Sequence, residues 1–465
     1  MFVLKTKSQE ETMRRIGVGR IGILIAVMTG TVSAQVIERV SVSSTEVEAN
    51  GDSISPVYDG VSEDGRFVVF ESDATNLVTA DGNGLRDVFV RDRLLGTTTR
   101  VSEAWSGGDA TGISFYPSIS EDGRWIAFTS DAPDLVVDDT NAAQDVFVYD
   151  RTTGQVSRVS MGWDGSEGNG DSRTPSISGD GRYVAFRSSA TNLVPGSMTV
   201  SKSIYVRDLQ TGDNELVSET WDGFQESGGS WYPHISADGR HVAFISNSTD
   251  LVSFDDNGVN DVFMRDLDLG VNSMIGVDID GEAGNSNTGG FGISADGRYA
   301  GVSSNATDLL PPGEDDNAVQ DAFVRDLDLG VTERVSVSSS GEQADAGSGP
   351  ATLDGSGRFV AFHSESSNLV DGDVNVATDI FGHDRATGIT TLLTITAAGA
   401  QSNDNSVDPT MSADGCFVVF KSLATNLVPD DANGFQDVFV AYGPATIFAD
   451  GFETGGTSRF SDTVP

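Results

Sequence analysis

One turn returns along this chain at a nearly constant interval. Its glycine stands at Gly65, Gly123, Gly181, Gly239, Gly297, Gly357 and Gly415, with steps of 58, 58, 58, 58, 60 and 58 residues. A fixed period of this size marks a repeat architecture, in which one small unit recurs and buries its apolar faces against its neighbours. Each unit holds four short apolar runs with turn signals between them. In the second unit they are residues 116–120, 125–129, 145–149 and 156–160. The runs are rich in Val, Ile, Phe and Tyr, and several are continuous rather than alternating, as in strands covered on both faces. Glu121-Asp122-Gly123-Arg124 and Asp150-Arg151-Thr152-Thr153-Gly154 read as hairpin turns. No window of the repeat region has a helical period. Four antiparallel strands per unit, seven times over, predict an all-β, seven-bladed β-propeller with four-stranded antiparallel blades.

The ends of the repeat predict how the ring closes. The seventh unit supplies three strands, the third being Asp437-Val438-Phe439-Val440, and then Tyr442 stands where other units carry Asp. The missing fourth strand is found near the N-terminus, where Glu38-Arg39-Val40-Ser41-Val42-Ser43-Ser44 repeats Glu333-Arg334-Val335-Ser336-Val337-Ser338-Ser339. Pairing of this segment in blade seven would remove the open sheet edges. The repeated SxDGRxVAFxS…DVFVRD pattern resembles the WD40-like (PD40) repeats of TolB-like β-propellers, over residues 36–443. The resemblance implies the propeller fold. It does not imply TolB's lipoprotein partner, because the α/β domain that precedes the propeller in TolB has no counterpart here.

Three segments are expected: a secretory signal peptide at 1–34, the propeller at 35–443 and a polar tail at 444–465. Arg14, Arg15 and Arg20 precede an apolar run at 21–28 that is too short to span a bilayer, and Val32-Ser33-Ala34 suits cleavage. Loss of 1–34 would carry the formal charge from −42 to −45. So acidic a surface argues against nucleic acid and anionic membranes as partners. The sole cysteine, Cys416, replaces the arginine of the seventh DGR turn and has no partner for a disulfide. The tail motif Asp450-Gly451-Phe452-Glu453 resembles endings of secreted proteins of some Gram-negative bacteria. A secreted or periplasmic monomer is expected.

The loop between the second and third strands carries Asp-x-Asn-x-x-x-Asp in six units. These are Asp81/Asn83/Asp87, Asp139/Asn141/Asp145, Asp255/Asn257/Asp261, Asp315/Asn317/Asp321, Asp373/Asn375/Asp379 and Asp431/Asn433/Asp437. Alternating carboxylates and amides can supply the hard oxygens that Ca²⁺ takes in sixes to eights. The same residues also cap turns through their own backbone. The spacing is not that of an EF-hand. Unit three has Ser197, Thr199 and Ser203 at these places with Lys202 adjacent, the pattern expected if a metal site were lost there.

Seven equivalent serines (Ser72, Ser130, Ser188, Ser246, Ser304, Ser364 and Ser422) read as scaffold rather than nucleophiles. Asp92 and its copies, close to the DGR arginines, read as ion pairs or turn caps. His234, His241, His363 and His383 come with no hydrolase or metal motif. Trp105, Trp163 and Trp221 occupy matching places in three inter-blade loops and, with Trp231 and Tyr232, form the candidate ligand patch. The expected function is a non-enzymatic interaction propeller that binds a protein or carbohydrate through this loop face, with Ca²⁺ as cofactor. No catalytic residue is assigned. The alternatives are an extracellular polysaccharide hydrolase or lyase, an activity that the resemblance also admits, and a structural envelope protein.

Overall fold

The computed structural model describes residues 37–56, 58–196 and 202–449. The signal-peptide segment, Ser197, Thr199 and the end of the tail lie outside the described residues. Among those described, no helix is long and apolar enough to cross a membrane.

Twenty-eight strands form seven four-stranded antiparallel sheets. Blade 1 comprises Ser53–Ile54, Phe67–Ser72, Asp87–Asp92 and Thr97–Arg100, paired in chain order, and blades 2 to 6 repeat it. Blade 7 takes Ser406–Met411, Phe417–Ser422 and Asp437–Tyr442 from the C-terminal side and Ile37–Arg39 as its outer strand. The N-terminal segment closes the ring, as its sequence identity with 333–339 predicts. The polar tail begins differently from expectation. Pro444–Ala449 is a short helix, with Pro444 against Gly382 and Ile447 packed on the apolar cluster of blades 6 and 7.

Apolar cores lie between blades. Phe67, Val69 and Val88 of blade 1 pack with Ile126, Phe128 and Phe147 of blade 2, and the arrangement recurs around the ring. Within blades, the second and third strands present stacked aromatic pairs such as Phe70–Phe89, with centroids 5.7 Å apart. These middle strands are covered on both faces, which is why their sequences read as continuous apolar runs.

The DGR turn is fixed from three sides. Its arginine grips the aspartate that ends the third strand: Arg66 donates to Asp92 through Nε at 3.0 Å and Nη2 at 2.8 Å. The same carboxylate accepts the Leu94 and Leu95 amides, so it is both ion pair and turn cap. The glycine has left-handed φ and sits on the aromatic ring of the preceding blade. A Cβ on Gly123 (φ 68°) would lie 2.4 Å from Phe67 Cδ2.

The Asp-x-Asn-x-x-x-Asp segment works as a staple. Asp87, fully buried at the head of its strand, accepts a hydrogen bond from Ser102 Oγ of the fourth strand at 2.6 Å. The equivalent bonds are Ser160–Asp145, Ser336–Asp321, Thr394–Asp379 and Ser41–Asp437, the last joining the chain's two ends. The Asn83 side chain accepts the Leu85 amide and donates to the Ala110 carbonyl of the next inter-blade loop. In blades 1, 2, 5 and 7 a buried arginine of the fourth strand lies between the two loop aspartates. Arg158 is 3.5 Å from Asp139 and 3.7 Å from Asp145, and it pairs with Glu167 at 2.6 Å. Arg100, Arg334 and Arg39 hold Asp81/Asp87, Asp315/Asp321 and Asp431/Asp437 likewise.

Blade 3 keeps a buried carboxylate by another route. Ser203 stands where the others have aspartate, but a carboxylate still arrives from the next inter-blade loop. Glu226, 4% exposed, accepts from Ser230 and Ser246. Burial pushes its carboxyl up to about 7.

Two stability predictions follow from these contacts. G123A forces a left-handed, crowded alanine and should cost about 2 kcal/mol in urea unfolding. R158A leaves two buried carboxylates without their cation and should cost about 3 kcal/mol at pH 8. Burial already raises the Asp145 carboxyl to about 6, so the folded state favours its protonated form. Stability from that group falls as pH rises through 6, and the R158A defect should be smaller at pH 5.

Candidate binding site at the channel mouth

The first strand of each blade lines the central axis. In blades 2, 3, 4, 5 and 7 its register shifts by a bulge near its start. The bulges hold Tyr116, Thr174, Tyr232, Gly290 and Asp408 at φ between 50° and 53°. Four of these residues are followed by proline, tolerated because the innermost strand is a sheet edge. Non-glycine residues in this conformation each cost about 1 kcal/mol or more, and such strain collects at functional sites. The bulges turn a ring of non-repeated side chains toward the mouth.

A second ring comes from the next-to-last residue of each second strand. That register holds Glu71, Thr129, Arg187, Ile245, Ser303, His363 and Lys421, seven different residues immediately before the seven equivalent serines. Several reach the bulge of the next blade: Glu71 accepts the Tyr116 amide at 2.7 Å, Thr129 that of Thr174 at 3.1 Å, and His363 Nδ1 that of Asp408 at 3.4 Å. Deeper in the channel, Asp59 ties four blades together. It accepts Ser118 Oγ at 3.1 Å and Ser176 Oγ at 3.0 Å, and lies 3.1 Å from His234 Nε2. The His234 ring stacks on Tyr58, with centroids 4.6 Å apart.

Charge at the mouth is uneven. Arg86 is neutralised by Glu71 at 3.0 Å and Asp73 at 2.7 Å, and Lys421 by Asp408 at 2.6 Å. Arg173 and Arg187 stand directly opposite each other on paired strands of blade 3. Arg173 reaches Asp171 at 3.2 Å. Arg187 has no carboxylate partner among the described residues, its Nε is buried without a hydrogen bond, and its guanidinium lies 5.6 Å from the Trp231 ring centre. Burial, and then the neighbouring Arg173, shift Arg187 toward its neutral form. Tyr58, Tyr116 and Tyr232 line one apolar niche of this mouth with Pro117 and Pro175.

The structure divides the sequence-derived ligand patch. Trp231 and Tyr232 belong to the mouth. Trp105, Trp163 and Trp221 sit singly on turns of successive inter-blade loops, each about 60% exposed or more, with no ring contact between them among the described residues. The serines have a structural role: Ser72 Oγ accepts the Ala74 amide. His363 is half-buried, and loss of solvation lowers its pKa.

The eighteen Asp and Asn positions proposed for Ca²⁺ lie at one loop in each of six blades, and their amide oxygens are engaged while several carboxylate oxygens, Asp81 Oδ1 and Asp255 Oδ1 among them, are not. The Asn carbonyl is bound by the turn's own amide in Asn83, Asn141, Asn257, Asn317, Asn375 and Asn433. Guanidinium groups fill the space between the aspartates in four blades. Among the described residues, no three His, Cys, Asp or Glu side chains are placed together to hold a metal ion. Any ion bound here would rest on two carboxylates with neutral oxygens and water. Sequence reading missed Arg173, Arg187 and the rest of the mouth. Superposed, the seven units place Arg187 in a column where no residue type recurs.

No family model matches this chain, and no curated protein does. Solved structures match it. An oligogalacturonate lyase in complex with manganese is 13% identical, over 89% of this chain and 94% of its own, with a TM-score of 0.52. The oligogalacturonate lyase of Vibrio parahaemolyticus is 14% identical, over 90% and 100%, also at 0.52. TolB of Acinetobacter baumannii is 16% identical, over 82% and 81%, at 0.38. The likeness to the two lyases shows a shared fold, and the seven four-stranded sheets make the chain a seven-bladed β-propeller.

Proposed function

We propose that the chain is an exported propeller that binds an acidic oligosaccharide at the mouth of its central channel. The observation that carries this is the Arg173–Arg187 pair. Directly opposed like charges are unfavourable across strands, and a half-buried guanidinium with an unbonded Nε is costlier still. In a chain of net charge −42, a carboxylate partner for Arg187 would have been easy to supply. A ligand carboxylate meets the planar fork of arginine in a bidentate pair. Trp231, Tyr116 and Tyr232 beside it offer faces on which sugar rings stack. The two lyases named above act, by name, on a chain of acidic sugars, which agrees with this chemistry. The leader at 1–34 and the acidic surface support a secreted or periplasmic monomer with no nucleic-acid partner.

Lyase activity is the second reading, supported by the half-buried His363 at the mouth, whose surroundings favour the neutral ring. Elimination would need a base to take the proton α to the sugar carboxylate while the glycosidic C–O bond breaks and a C=C bond forms. His363 turns its Nδ1 lone pair to the Asp408 amide, leaving Nε2 to carry the proton. His234 is held by Asp59 and Tyr58. This geometry favours binding over catalysis. For the Asp-x-Asn-x-x-x-Asp loops, calcium is the ion proposed wherever a loop takes one, because every donor is a hard oxygen.

Titration calorimetry with oligogalacturonate, and with a neutral oligosaccharide of equal length, tests the assignment. The acidic chain should bind and the neutral one should not. R187A should weaken binding at least about tenfold, near 1.4 kcal/mol, without lowering the melting temperature, since it removes an uncompensated cation. Unchanged affinity in R187A would overturn the site, and appearance of an unsaturated product would favour the lyase reading.

A further inference from the structure

We infer that blade 4 holds one calcium ion between Asp255 and Asp261, in the place that other blades give to an arginine. The inference rests on the proposal of calcium for these loops and narrows it to one blade. Internal comparison carries it. In blades 1, 2 and 7 the two loop aspartates share a guanidinium with a third acid: Asp109, Glu167 or Glu48. A fourth-strand serine also donates to the second aspartate. Blade 4 has lost all of these partners at once. Met274 occupies the register of the arginine, Gly276 that of the serine and Ala283 that of the third acid. Both aspartates remain.

The losses leave oxygen atoms short of partners. Asp255 Oδ1 is buried and makes no hydrogen bond, and buried Asp261 Oδ1 has only the Thr288 hydroxyl beside it. Asp261 and Thr288 are fully buried, and Asp255 is 9% exposed. Thr288 comes from the first strand of blade 5 and fills the volume of the missing serine side chain: a Cβ on Gly276 would lie 2.1 Å from its hydroxyl. Neither aspartate has a cationic side chain in reach among the described residues. Two buried carboxylates facing each other without a counter-ion are strongly unfavourable. A divalent ion balances both charges. Calcium accepts irregular oxygen sets completed by water, and here it would take two carboxylates and a hydroxyl. Burial and the nearby Asp255 raise the Asp261 carboxyl to about 7, so a proton is the competing occupant.

Blade 6 shows the other resolution. Leu392 replaces its arginine, but Thr394 at 2.5 Å and Ser402 at 2.7 Å both donate to Asp379 Oδ1, and Gln401 reaches Asp373. In blade 4 the only described side chains that donate to the pair are the Asn257 amide, 2.8 Å from Asp261 Oδ2, and the Thr288 hydroxyl, and neither reaches Asp255.

The test is calorimetric titration of the EDTA-treated full chain with CaCl₂ at pH 8, where protons compete least, alongside melting curves. One ion per chain and a calcium-dependent rise in melting temperature are expected. D255N and D261N should each weaken binding at least tenfold. M274R, which rebuilds the guanidinium of the other blades, should abolish binding while melting no lower than the wild type in EDTA; it covers the case in which an Asp variant fails to fold. No binding at all would overturn both this site and the calcium proposal. Several ions per chain would leave calcium in the loops but overturn the assignment to blade 4, as would a single ion that survives both Asp substitutions.

Discussion

A buried carboxylate at the head of the third strand is the contact on which the rest of each blade depends. Asp87 or its equivalent lies at the meeting point of the third strand, the fourth strand and the inter-blade loop. An ionised group there must be hydrogen-bonded on every side, and it therefore fixes the relative positions of everything that bonds to it. Ser102, Asn83 and Arg100 supply those bonds in blade 1. Blade 3 illustrates how strong the requirement is: when the strand residue becomes Ser203, Glu226 brings a carboxylate to the same neighbourhood from another segment. An apolar core alone would hold the blades at a distance; this polar centre sets their register.

The fold was legible because it depends on local, repeated signals. DGR turns, apolar runs and the duplicated ERVSVSS segment all lie in plain view along the chain, and each has a single structural meaning. The staple was half legible. Asp and Asn at fixed spacing announced a shaped loop, yet Arg158 lies well away in sequence from Asp139 and Asp145, and nothing local ties them together. Read alone, the acidic residues looked like cation ligands, and the cation turned out to be covalently part of the chain in four blades. The mouth was the least legible part. Repetition draws attention to what recurs, whereas Glu71, Arg187, His363 and Lys421 differ from one another at one register, next to a serine that never changes.

Charge follows the same division. Ten of the 24 arginines of this acidic chain are consumed within blades, six by DGR–aspartate pairs and four by staples, both serving architecture. The residues left to meet a ligand are few and sit where the repeat is broken: at left-handed bulges, beside tyrosines, around the axis. Pseudosymmetry gives the molecule its rigidity, and departures from symmetry at the mouth give it a surface that distinguishes one blade from the next.

The outer strand of blade 7 comes from the N-terminal segment, and Ser41 meets Asp437 across 396 positions of sequence. A chain that emerges N-terminus first therefore keeps Ile37–Arg39 without its sheet until almost the whole polypeptide has appeared. Completion of the ring is thus tied to arrival of the last blade. Closure joins the strand made first to the one made last, and no partial chain can seal the circle.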